Sequence, residues 1–256
     1  GWSGYTTWAL TSDGVLTFTP SDQNLDGQTN LKNYWKVNGE LTLPWGEYAE
    51  MITKVLYPAD NIEEGKELRL KQQYFLVAAS MADIIRRHME LYGTLENFAE
   101  KNAVHLNDTH PTLCIPELMR ILIDDYFYPW DKAWSMVTRI VSYTNHTVMP
   151  EALETWNEDL FALKLPRIHS ILKEINERFC REAWQVFPGN WPRLSKMAVI
   201  GYGQIRMANL AVIGSHSVNG VSKLHSTILK DSVFKDFYRM YPGRFDNVTN
   251  GIAHRR

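Results

Sequence analysis

From Trp45 onward the sequence is governed by long runs of helical hydrophobic spacing broken by short polar loops, which limits the fold to a helix-dominated α/β arrangement. Pro166 opens the clearest run, through Ile168, Ile171, Leu172, Ile175 and Phe179, and Pro188-Gly189 ends it. A second run, Glu64–Tyr92, places Leu68, Phe75, Ala78, Ile85 and Met89 near one face, with Gly93 as its stop. Pro116 and Pro150 stand where a first helical turn begins, and Asp131 is placed to cap a helix reaching about Tyr143. Two further helices are predicted at about 204–213 and 219–231. Strands are predicted at Ala103–Leu106, Met197–Ile200 and Phe245–Val248. Residues 1–45 read differently: Gly14–Thr19 has the pattern of a strand, and the polar stretch Ser21–Asn30 that of a loop.

Charge and cysteine usage exclude several classes. A formal net charge of −2, with no block of five Lys or Arg, gives no electrostatic footprint for nucleic acid. No apolar run approaches the roughly 18–20 residues that span a bilayer, and no secretory signal pattern opens the chain. Cys114 and Cys180 have no metal-type spacing and read as free thiols of a cytoplasmic protein. The three sequons, at Asn107, Asn145 and Asn247, are then chance matches. The nine Trp and twelve Tyr suit either sugar stacking or core packing, so composition does not choose a function.

Common catalytic signatures are incomplete. Gly201-Tyr-Gly203 lacks the third glycine and the later acidic residue of a dinucleotide site. Gly214-Ser-His216 falls short of a nucleophile elbow, and the eight His show no zinc spacing. Four polar loops remain: Tyr57-Pro-Ala-Asp-Asn61, Asn107-Asp-Thr-His-Pro111, Thr144-Asn-His-Thr147 and Asn247-Val-Thr-Asn-Gly251. Each is dense in groups that bond hydroxyls, although Asn, Asp and Thr also build ordinary turns and caps.

These loops stand inside longer motifs. Leu56–Phe75 (LYPADNIEEGKELRLKQQYF), Leu106–Arg120 (LNDTHPTLCIPELMR) and Tyr143–Glu154 (YTNHTVMPEALE) resemble signature segments of the glycogen/starch/maltodextrin phosphorylase family. So do Leu165–His169 (LPRIH), Gly214–Val221 (GSHSVNGV) and Asn247–Ile252 (NVTNGI) with Arg255 and Arg256. Order and approximate spacing agree across about residues 50–256, while residues 1–45 stay unassigned.

The resemblance implies that residues 46–256 are the latter part of the N-terminal lobe of a two-lobed glycosyltransferase-B architecture. It implies reversible phosphorolysis of terminal α-1,4-linked glucose to α-glucose-1-phosphate, with inorganic phosphate as co-substrate, in a homodimeric enzyme. The pyridoxal phosphate of that family sits on a lysine of the other lobe, in a motif not found here, so the chain is expected to be an internal, inactive piece. By resemblance the main-chain carbonyl of His146 faces the oxocarbenium-like charge at the sugar, while its imidazole and the Asn250 amide hold the 6-hydroxyl. Asn61 corresponds to a gate residue bonding the 2-hydroxyl, and Asp60 to its neighbour that excludes phosphate until substrate docks. Arg69 matches a gate residue that helps admit the anion. Asp108 and His110 match the lining below C1, and Gly220 and Val221 a wall of the glucose pocket.

Three residues depart from the family pattern. Ile62 and Glu63 stand where animal members carry gate aromatics, so no stacking site for planar inhibitors is implied. His105 is unexpected and is read as a buried, satisfied histidine. Two other readings remain open from sequence. One is a non-catalytic glucan-binding or interaction module. The other is an ADP-sugar-dependent glucan synthase, which fits the gate and Asn-Asp-Thr-His motifs less well.

Overall fold

The computed structural model describes residues 6–10, 15–20, 41–44, 52–55, 58, 61–252 and 255. The chain falls into two compact units, residues 1–72 and 73–256. In the first, β1 (Thr6–Leu10), β2 (Val15–Pro20) and β3 (Leu41–Pro44) form an antiparallel sheet in that order. Sequence reading found only the middle strand of this sheet. The predicted loop at 21–30 lies outside the described residues.

The second unit is organised by a parallel sheet of four strands, β4 (Val104–Asn107), β5 (Val141–Thr144), β9 (Ser217–Gly220) and β10 (Phe245–Asn247). Their spatial order repeats their order in the chain, so every crossover steps to the next strand in one direction. Parallel strands covered on both faces bury almost continuously, and Val141, Tyr143 and Val218 are fully buried. The helices of this unit are the part of α1 (Glu63–Tyr92) from Gln73 onward, α2 (Phe98–Lys101), α3 (Cys114–Arg120), α4 (Trp130–Ile140) and α5 (Glu158–Lys164). There follow α6 (Pro166–Val186), α7 (Trp191–Met197), α8 (Met207–Gly214), α9 (Lys223–Ile228) and α10 (Lys235–Met240). A small antiparallel sheet joins β6 (Thr155–Asn157), β8 (Gln204–Arg206) and β7 (Ile200–Gly201). Among the described residues no helix is long and apolar enough to cross a membrane.

Helix α6 follows its sequence pattern, burying Ile168, Ile171, Leu172, Ile175 and Phe179. Gly93 ends α1 in the left-handed region at φ 67°, where glycine carries no Cβ penalty. The buried stripe of α1, however, is Leu70, Val77, Met81, Ile85 and His88, and of the face read from sequence only Ile85 is fully buried. The helix predicted to reach Tyr143 stops at Ile140, with Pro129 rather than Asp131 at its N-cap. Its apolar residues run straight into those of β5 with no punctuating Gly or Pro. The helix predicted from about residue 219 starts only at Lys223, where the Ser222 side chain caps α9 by accepting from His225 N at 3.2 Å, and residues 219–220 belong to β9. Of the strand predicted at Met197–Ile200, Met197 instead ends helix α7 and only Ile200 enters a strand, β7, while residues 204–206 pair in β8 before α8 begins.

Every residue of α8 is buried, and a Cβ built on Gly214 would meet Ile115 Cδ1 of α3 at 2.6 Å. Gly220 is about as tight: a Cβ there would meet Ser226 Oγ at 2.7 Å and Ser226 N at 2.9 Å. The second of these is backbone and has no rotamer to move away. Gly220→Ala therefore pushes α9 off the end of β9 and should destabilise the fold by about 1–3 kcal/mol. Urea denaturation of the two proteins measures this, and an unchanged midpoint would contradict the close approach.

Candidate active site

In open parallel sheets ligands bind beyond the carboxyl ends of the strands, where loops of known direction converge. Here each of the four strands runs into a polar loop at that edge. Asn107, Asn145, Asn219 and Asn247 stand at or next to the four strand ends.

The backbone ladder continues past the strands. Asp108 N donates to Thr144 O at 2.9 Å, and Asn145 N to Asn219 O at 3.0 Å. Val248 N donates to Gly220 O at 3.1 Å, and Asn250 N to Val221 O at 3.3 Å. The loops carrying Asp108, His146, Gly220, Val221 and Asn250 are thus brought to one edge and fixed to one another. Asp108 holds a left-handed turn at φ 66°, tolerated by its short polar side chain, whose Oδ1 accepts from Thr109 N at 2.8 Å. His110 is exposed on the turn leading to α3. Gly220 is buried, Val221 half-buried and Asn250 exposed.

Side chains add ties that sequence reading missed. His146 Nε2 donates to Asn107 Oδ1 at 2.7 Å, which leaves His146 Nδ1 as a free acceptor. Thr144 Oγ1 donates to Asn219 Oδ1 at 2.8 Å and so accepts from His105 Nε2 at 2.6 Å. His105 Nδ1 then accepts from Ser142 Oγ at 3.0 Å. His105 is therefore satisfied as expected, but it is exposed rather than buried. Asn145 is fully buried: its Nδ2 donates to Tyr143 OH at 2.9 Å, and its Oδ1 accepts from Thr147 N at 3.0 Å and His225 Nε2 at 3.1 Å. Ser226 Oγ donates to Asn247 Oδ1 at 2.9 Å. The recurrence of Asn after each short apolar segment was a usable signal in the sequence. His225, inside a short helix, gave none.

The remaining predicted residues belong to the first unit. Asn61 is exposed in the turn before α1, Ile62 beside it is 53% exposed, and Arg69 is half-buried on α1. Asp60 lies outside the described residues. Among the described residues no cluster of His, Cys, Asp and Glu is suited to a metal ion, and no lysine is buried.

Backbone carbonyls, amides, hydroxyls and imidazoles are gathered at one sheet edge, and all of them are groups that can hydrogen-bond a ligand's hydroxyls. The chain belongs to the carbohydrate phosphorylase family, whose model matches residues 27–256. It is 48% identical over 227 residues to the glycogen phosphorylase of Bacillus subtilis, a match covering 89% of this chain and 28% of that protein. It is 52% identical over 210 residues to the glycogen phosphorylase of Chlamydia pneumoniae, covering 81% of this chain and 26% of that protein. The brain form of human glycogen phosphorylase is 52% identical over 219 residues, again 81% of this chain and 26% of that protein. The chain spans about a quarter of the length of these curated relatives.

Burial, and next the charge of nearby His146, pushes the His225 pKa below its ordinary value of 6.5. Between that lowered value and 6.5 the unfolded chain binds more protons than the folded one, so stability rises with pH across this window. The destabilisation caused by His225→Gln should accordingly be largest above about pH 6.5 and shrink as the pH falls. Urea midpoints of both proteins at about pH 5 and about pH 8 measure it, and a pH-independent difference would refute the assignment.

Proposed function

We propose that the intact protein is an α-glucan phosphorylase and that this chain supplies the glucose side of its active site. The observation that carries this reading is the meeting of the Asn-Asp-Thr-His, Thr-Asn-His-Thr, Asn-Gly-Val and Thr-Asn-Gly motifs at one edge of one parallel sheet. The reaction is phosphorolysis of a terminal α-1,4-linked glucose. The C1–O4 bond breaks, a bond forms between C1 and a phosphate oxygen, and the phosphate's proton ends on the released O4 hydroxyl. The product α-glucose-1-phosphate is the donor in the reverse direction. Substrates of the intact protein are then an α-1,4-glucan and inorganic phosphate. A homodimeric, cytoplasmic enzyme accords with the resemblance and with two free cysteines.

Bond breaking develops positive charge at C1 and O5. The His146 carbonyl, a dipole needing no titration, stabilises that charge. His146 Nδ1, left free by the bond to Asn107, accepts the 6-hydroxyl, and the Asn250 side chain completes its pairing. Asp108 and His110 line the space below C1, Gly220 and Val221 form the wall, and Asp60, Asn61 and Arg69 belong to the gate. Residues 46–256 form this lobe portion; residues 1–45 are given no role, although the family match already begins at residue 27. Pyridoxal phosphate, implied by the family resemblance, does not fit the described residues. None of their lysines is buried, and Lys223, next to the proposed wall, is exposed at the start of α9. By the resemblance the cofactor is held by another part of the intact protein, and on this reading the chain alone is inactive.

His146 and Asn250 are both exposed in this chain, so a penalty for leaving them unpaired applies only where the intact protein closes over the sugar: there a site built to bond a hydroxyl rejects a ligand lacking it, at about 1–3 kcal/mol for each group left unpaired. α-Xylose-1-phosphate, without the hydroxymethyl arm, should be a far poorer donor than glucose-1-phosphate. In the intact protein Asn250→Ala should lower kcat/KM for glucose-1-phosphate by roughly ten- to hundredfold and leave the xylose value nearly unchanged. Equal losses for both donors would remove Asn250 from the 6-hydroxyl.

A further inference from the structure

His225 is assigned no sugar contact, yet its ring is bonded to two of the proposed pocket loops. Nδ1 accepts from Val221 N at 3.2 Å, and Nε2 lies 3.1 Å from Asn145 Oδ1. A backbone amide can only donate, so Nδ1 is bare and the neutral ring carries its proton on Nε2. The ring is 8% exposed, and the bond from its own backbone N–H to Ser222 Oγ fixes its start on α9.

The consequence lies one residue further on. Asn145 Oδ1 also accepts from Thr147 N at 3.0 Å. That N–H belongs to the same peptide unit as the His146 carbonyl. A trans peptide points its N–H and C=O in opposite directions, so whatever holds Thr147 N–H also aims the His146 carbonyl. Asn145 Oδ1 holds it, and His225 Nε2–H holds Asn145 Oδ1. The Thr147 N–H bond itself polarises the peptide toward negative charge on the carbonyl oxygen, whereas His225, sharing the same acceptor, acts by fixing where that acceptor sits.

We propose that His225 is a positioning residue for the phosphorylase reaction: through Asn145 it sets the peptide plane whose carbonyl faces the developing charge at C1. The inference rests on the functional reading above and adds to it a residue outside the sugar pocket. Because His225 also ties Val221, it couples the pocket wall to the carbonyl.

The two ring nitrogens can be tested separately in the intact protein. In His225→Asn the side-chain amide reaches about as far as Nδ1, keeping an acceptor for Val221 N–H and losing the donor to Asn145. In His225→Gln it reaches the Nε2 position and restores that donor. With glucose-1-phosphate as donor, His225→Asn should lower kcat by roughly ten- to hundredfold while KM changes less than about threefold. His225→Gln should keep kcat within about threefold of wild type, with both variants melting within a few degrees of it. Equal kcat losses in both variants, or a loss carried wholly by KM or by the melting temperature, would overturn the proposal. An indifferent His225→Asn in an active wild-type enzyme counts against this inference alone. A wild-type protein that forms no glucose-1-phosphate from glucan and phosphate counts against the functional reading. A long-range nitrogen–proton correlation spectrum of the histidines reports on the wild type even if a variant fails to fold. A neutral His225 protonated on Nε2 is expected at neutral pH, and an Nδ1-protonated ring would exclude the role.

Discussion

The side-chain amide of Asn145 is the constraint on which the rest of the site depends. It is fully buried, and the bonds from Thr147 N and His225 Nε2 and to Tyr143 OH join a strand, a loop and a helix. Left unpaired, each of these groups would cost about 1–3 kcal/mol, so the arrangement is stable only as a whole. This cooperativity makes the strand-end loops a preorganised surface. The backbone rungs from Asp108 to Thr144 and from Asn145 to Asn219 hold the main chain in register, and the Asn and His side chains lock what the ladder leaves open.

Steric constraint does the same on the other side of the site. Gly220 lets the backbone of Ser226 approach so closely that α9 starts directly beyond β9. Only in that position does His225 reach both Val221 N and Asn145 Oδ1. A carbonyl that stabilises positive charge must already point correctly when the charge appears, because reorientation during the reaction would consume the benefit. In the proposed reaction, close packing and paired amides would give the His146 carbonyl that fixed direction without using a titratable group at the reacting carbon.

Legibility in the sequence followed the strength of local signals. Helix α6, with a proline start and a clean apolar stripe, could be read directly, as could the stop of α1 at Gly93. Strands β5 and β9 could not. Val141–Thr144 continues an apolar helix without a break, and Ser217–Gly220 is too short to display a period. The stripe of α1 was misread because a 30-residue helix offers several partial faces, and packing selected the one through Leu70, Val77 and Met81. Three of the strand-end motifs were visible as polar loops, but the sheet order that joins them was not. His225 was invisible because its role comes from two contacts, one of them with a residue eighty positions away.

The most direct measurement of the central claim is a crystal structure of the intact protein with glucose bound. The account predicts a sugar beyond the carboxyl edge of the parallel sheet, its 6-hydroxyl within hydrogen-bonding distance of His146 Nδ1 and the Asn250 amide. It also predicts the anomeric carbon facing the His146 carbonyl. A glucose seated away from that edge, or one whose 6-hydroxyl turns toward solvent, would contradict it.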